Sequence, residues 1–201
     1  MKKIVLLMLV SLQISAQKEF IPEVAGASEL RSVINKSDAY FLTIDYASVA
    51  EFKSGIGEFV NFYPAEFKNL NTNAVTKGLK IQMKISIPVL LADGKTGSNM
   101  IYRSAILDAS DVKLFIEFLE KNVAPKVGKA DKKDVKRYEA TIKFKEIIFT
   151  YAYEKSSERI TIFARDYGVT GRNAGVDFIE FWTETQVDKI PDLLMVLKKI
   201  I

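Results

Sequence analysis

The sequence predicts an α+β protein of two related modules, each an antiparallel β-sheet of three to four strands backed by a C-terminal helix. Three observations lead there. Runs of alternating apolar and polar residues, the period of half-buried strands, precede two segments whose apolar residues recur at helical spacing. Those two helical segments superpose at a shift of seventy-eight residues, which points to an internal duplication. The polar turns between strand candidates are short, and short turns join antiparallel strands, because parallel ones need long crossovers.

Residues 1–16, MKKIVLLMLVSLQISA, read as a signal peptide. Lys2 and Lys3 give the positive start, Ile4 to Val10 the apolar run, and Ser15-Ala16 the small residues of a cleavage site. The apolar run is far shorter than the ~20 residues a bilayer span needs. Cleavage would leave Gln17 first and place the protein outside the cytoplasm, periplasmic or secreted. It would also remove two lysines and no acid, so the net charge falls from +4 to +2. A nearly balanced chain argues against nucleic acid, which calls for a concentrated basic face.

The first module spans residues 17–122. Ser28 is a helix cap for Glu29–Asn35, and Tyr40–Tyr46 and Glu58–Tyr63 are strand candidates. Ile81, Met83, Ile85 and Ile87 alternate with Lys80, Gln82, Lys84 and Ser86, a half-buried strand that Pro88 is expected to end. Asp93-Gly94 marks a turn, and Met100–Leu107 is the strand leading into a helix over Ser110–Asn122, capped by Ser110. Val112, Phe115, Ile116 and Leu119 form that helix's apolar stripe.

Residues 123–137 form a basic linker carrying Lys126, Lys129, Lys132, Lys133, Lys136 and Arg137. Such a run solubilises a connector, and Lys129, Lys132, Lys133, Lys136 and Arg137 are the candidates for contact with an anionic surface. The second module, 138–201, has strand candidates at Tyr138–Phe144, Ile147–Tyr153, Arg159–Asp166 and Val176–Thr183. Its closing helix carries Ile190, Leu193, Leu194 and Leu197, which fall on the four stripe residues of the first helix. Pro191 suits the start of that helix, where a missing N–H costs nothing.

No cysteine and no histidine occurs. That removes disulfides, thiol nucleophiles and Ser-His-Asp catalysis, and with them the usual zinc ligands; no metal or cofactor is expected. Ser110-x-x-Lys113, Lys95-Thr96-Gly97 and Ser37-Asp38 match pieces of the serine β-lactamase signature, but in the wrong order along the chain. Gly94-Lys95-Thr96 echoes a P-loop ending, but Val89 stands where its first glycine belongs. Gly168, Gly171 and Gly175 fit a hairpin loop better than an anion nest. Asp177, Glu180 and Glu184 are close in sequence yet give no pair facing one cleft.

The aromatic residues carry the functional reading. Thirteen Phe, eight Tyr and a single Trp concentrate on strand candidates, so both faces of the second sheet read as apolar. One face meets the helix, and the other is buried between modules or serves as a binding surface. The expectation is a non-enzymatic binding or interaction protein whose ligand, an apolar molecule, a sugar, a peptide or a protein partner, contacts Tyr151, Tyr153, Phe178 and Trp182. The alternatives are a small hydrolase using carboxylate or lysine chemistry in an intermodule cleft, and a structural homodimer subunit.

Overall fold

A computed structural model describes residues 28–128, 137–154, 157–165 and 178–201. Residues 1–16, Lys129, Lys132, Lys133, Lys136, the glycines at 168, 171 and 175, Asp177 and the side chain of Phe178 lie outside the described residues. The chain folds as α+β, with two antiparallel sheets, a few short helices and a helix near its C-terminus.

The first sheet contains β1 (Tyr40–Ile44), β2 (Ala50–Lys53), β3 (Phe59–Asn69), β4 (Val75–Leu90) and β5 (Thr96–Asp108). Its order is β1-β3-β4-β5, and β2 shares the outer edge of β3 with β1: Phe59–Phe62 pair with β2, Ala65–Asn69 with β1. Five strands exceed the three to four expected, because β2 is only four residues long and too short to show a period. The alternation on β4 holds, with Leu79, Ile81, Met83 and Ile85 buried between half-buried Lys80, Gln82 and Lys84.

Pro88 does not end β4, which runs on to Leu90. Pairing with β3 stops at Lys84, so the strand beyond has one free side. There the Ser86 N–H donates to Glu58 Oε1 at 2.9 Å. Pro88, two residues further on and facing the same way, has no donor to satisfy. The turn that follows is the one expected, with Gly94 at φ +79°, a conformation glycine takes without a steric penalty.

The second sheet is a meander of β6 (Tyr138–Lys143), β7 (Ile147–Glu154), β8 (Ser157–Arg165) and β9 (Phe178–Thr183), in that order. Among the described residues three helices complete the fold: α1 (Glu29–Lys36), α2 (Ala109–Phe118) and α3 (Ile190–Leu197). A π turn over Leu119–Val123 prolongs α2, and a 3-10 turn over Val187–Lys189 leads into α3, with Pro191 in its first turn.

Ser28 caps α1 as expected, accepting from the Arg31 N–H at 3.1 Å. Ser110 does not cap α2. That helix starts at Ala109, after Asp108, whose carboxylate turns instead to α1 and accepts from the N–H groups of Glu29 and Leu30 at 3.0 and 2.7 Å. One carboxylate therefore satisfies two of the four orphan donors at the start of α1.

The helices are not divided one per sheet. α2 packs on β4 and β5, α3 packs on β2 and β3 of the same first sheet, and the two helices touch. Width explains this: four strand positions span ~19 Å at ~4.8 Å each, whereas one helix covers ~10 Å. The second sheet closes over the helix layer, setting the Phe149 ring 5.1 Å from Phe115 and 6.4 Å from Phe118. A single core thus joins Phe52, Phe62 and Ile81 of the first half to Phe149, Phe181 and Leu197 of the second.

On the other face of the first sheet, α1 lays Leu30 and Ile34 over Ala65, Phe67 and Ile106. Glu146, in the β6–β7 turn, locks this corner. Fully buried, it accepts from Arg31 Nε (2.8 Å), Arg31 Nη2 (2.7 Å), Ser28 N–H (2.9 Å) and Ile106 N–H (2.8 Å). The pair seals part of the outer edge of β5, where Arg31 Nη2 also donates to the Ser104 carbonyl at 3.0 Å.

Candidate functional site

The register of the second sheet sorts the aromatic candidates. Tyr151 pairs with Ile160, Phe149 with Ile162, and Ile162 with Phe181; all are buried against the helices. Thr141, Thr150, Thr161 and Trp182 form a row on the opposite, outer face. Tyr151 and Trp182 therefore do not share a face. A strand shows its neighbours on alternate sides, but only the pairing across three hairpins says which side of one strand continues which side of the next.

Tyr151 is sealed in. Burial first, and Glu158 second, push its hydroxyl pKa far above the ordinary tyrosine value. It sits in a three-ring cluster in which Tyr153 stacks on Tyr138 at 5.4 Å and 19°. Lys126 lies 5.6 Å over the Tyr138 ring, and the Tyr138 hydroxyl donates to the Asn122 carbonyl at 2.8 Å. Tyr153, at the end of β7, is half-buried.

Trp182 is the accessible ring, 48% exposed. The Arg159 guanidinium lies over it, 4.8 Å from the ring centroid, and is held there by Glu184, whose Oε1 accepts from Arg159 Nε at 3.0 Å and Nη2 at 2.6 Å. These hydrogen bonds hold the Glu184 carboxyl below the usual carboxylate range. Beside this triad lies a cleft of about 490 Å³, lined by Arg137, Ala152, Tyr153, Glu154, Ser157, Arg159 and Glu184. Arg137 pairs with Glu139 at 3.2 Å, so both arginines of the cleft carry a carboxylate partner.

Of the predicted residues, then, Tyr153 and Arg137 line this cleft, Trp182 adjoins it through Arg159, and Tyr151 is excluded from it. Arg159 was not singled out from the sequence. Its partner Glu184 lies twenty-five residues further along the chain, so no local period links the two.

A second cleft, of about 260 Å³, forms where the end of the chain meets the first sheet, lined by Thr43, Asp45, Glu66, Lys77 and Lys199 among others. Lys199 Nζ donates to Ser48 Oγ at 2.6 Å, a spacing a serine nucleophile and lysine base would use. The two backbone N–H groups at that turn, of Ala47 and Ser48, are engaged by Asp45 Oδ1 at 3.0 and 3.2 Å and are not aimed at an oxyanion. The Ser48 hydroxyl contact, chiefly, holds the Asp45 carboxyl below its ordinary value.

Among the described residues no helix is long and apolar enough to cross a membrane, and no three acidic side chains converge as a metal site would require. The chain matches no family model, and no curated protein or solved structure matches it.

Proposed function

We propose that this chain is an exported, non-enzymatic binding protein whose ligand docks on the outer face of the second sheet, over Trp182 and into the adjoining cleft. One observation carries the reading: the only tryptophan of the chain is half exposed and braced from the side by Arg159 and Glu184. A large ring left at the surface and held in one orientation is a ready stacking platform. Among the described residues, both arginines of the cleft, Arg137 and Arg159, are already paired with carboxylates. That favours an uncharged ligand with a flat apolar side, a neutral sugar or a peptide segment.

The indole supplies its own assay. Neutral oligosaccharides and short peptides, titrated against the purified protein, should shift or quench Trp182 emission saturably, and Arg159→Ala should weaken that response. Calorimetric binding that leaves the indole unchanged would move the site elsewhere, and silence in both readouts across the panel would end the proposal. Export is tested separately by Edman sequencing of protein recovered outside the cytoplasm, with Gln17 expected first. Descent from one duplicated unit belongs to the same reading. It is supported by three antiparallel strands leading into a helix in each half (β3–β5 into α2, β7–β9 into α3) with matching apolar stripes.

A further inference from the structure

The face of the first sheet that bears α1 is covered at one end only. Beyond the helix, register places two further rows on this side: Phe59, Lys84 and Tyr102 across one, with Tyr102 exposed, and Asn61, Gln82 and Ser104 across the next, with Asn61 buried and the other two half-buried; Lys80 follows Gln82 on the same side of β4. The composition is unlike the opposite side of the same strands, where Val60, Phe62, Ile81, Met83 and Ala105 are buried. Tyr102 is 58% exposed, and its ring meets Phe59 edge-on at 6.4 Å, bridging the strand that carries Lys84. Neither Lys80 nor Lys84 makes an ion pair among the described residues. Four residues apart on one strand, they stand ~13 Å from each other on the same side.

Asn61 supplies an independent sign. It is only 8% exposed; its Nδ2 donates to the Tyr63 hydroxyl at 2.8 Å, while its Oδ1 is buried without a partner among the described residues. A buried acceptor left bare costs free energy that a donor reaching it would recover.

We propose that this half-face binds an acidic polysaccharide. Sugar rings lie against Phe59 and Tyr102, and ring hydroxyls donate to Asn61 Oδ1 and exchange hydrogen bonds with Gln82. Successive carboxylates along the polymer meet Lys84 and Lys80, whose separation suits charges repeated on a chain better than one compact anion. A flat, open surface suits a polymer that lies across it. The site is on a different sheet from Trp182 and does not depend on the function proposed there.

Native affinity electrophoresis of the intact mature protein tests this, with polygalacturonate, neutral dextran or oligo(dT) in the gel. Retardation is expected with polygalacturonate and not with dextran. The double variant Lys80→Ser/Lys84→Ser should weaken binding about tenfold or more, as should Tyr102→Ala, which leaves the charge untouched. Lys36→Ser/Lys113→Ser removes the same charge from exposed helix positions and should leave binding unchanged. No retardation by polygalacturonate, equal loss in both lysine pairs, a silent Tyr102→Ala, or retention as strong on oligo(dT) would each overturn the proposal.

Discussion

Glu146 offers the sharpest test of how this fold is held together. Its carboxylate is fully buried and accepts four hydrogen bonds, two from an Arg31 side chain that is itself 3% exposed. Glu146→Gln keeps the shape but leaves the guanidinium buried beside a neutral amide, and turns an NH₂ group toward N–H donors. Removing one partner of a buried pair costs about 3–5 kcal/mol, mostly because the other charge stays behind uncompensated. For a chain of this length that is a fall in melting temperature of roughly 6–20 °C. Arg31→Met should cost a similar amount. The double variant Arg31→Met/Glu146→Leu should cost clearly less than the two singles added, because it leaves no orphan charge. It should not be neutral, since the Ser28 and Ile106 N–H groups lose their acceptor at about 1–3 kcal/mol each. Urea titration followed by far-UV circular dichroism gives these free energies from midpoint and slope. If Glu146→Gln lies within 1 kcal/mol of wild type, or if the single costs simply add, the carboxylate is not the lock described here.

Three further outcomes follow from the packing. Phe115→Ala should lose about 3–5 kcal/mol in the same urea assay, because its ring is shared by Phe144 and Phe149 and joins α2 to the second sheet; a loss near 1 kcal/mol would mean the layers are less coupled than drawn. Gly78→Ala should destabilise by about 1–3 kcal/mol: an added Cβ would sit 2.6 Å from the Leu107 carbonyl oxygen and 2.6 Å from Leu30 Cδ2, and backbone cannot give way as a side chain can. A fully tolerated alanine would show that α1 rides higher on the sheet. Acid titration of Trp182 emission tests the Arg159–Glu184 brace. The folded Glu184 value is lowered, chiefly by the Arg159 hydrogen bond, so the brace is complete above roughly pH 4.3 and is lost as pH falls through that lower value. An emission midpoint at or above pH 4.3, with circular dichroism still native, would contradict it.

Much of the local structure was legible in the residues themselves. The alternation of Ile81, Met83 and Ile85 with Gln82 and Lys84, the stripe of Val112, Phe115, Ile116 and Leu119, the Ser28 cap and the Gly94 turn each depend on neighbours a few positions away, and each stands in the structure. Where the reading went astray, a distant partner had intervened. Asp108 caps α1, seventy-nine residues before it, and not α2; Pro88 is tolerated because β3 has already ended; and α3 leaves its own sheet to share the broad inner face of the first.

The candidate site divides the same way. Periodicity along one strand fixed that Trp182 and Phe181 look in opposite directions, and it fixed nothing about Tyr151 relative to Trp182, which are separated by two hairpins. Only strand register, set by how the helices and both sheets fill one core, decided that Tyr151 is sealed and Trp182 open. Backbone period is a property of the chain alone, whereas the side of a sheet that meets water depends on what is stacked against it. The sequence by itself therefore determined which residues can share a face, and the tertiary packing chose which face is left to bind.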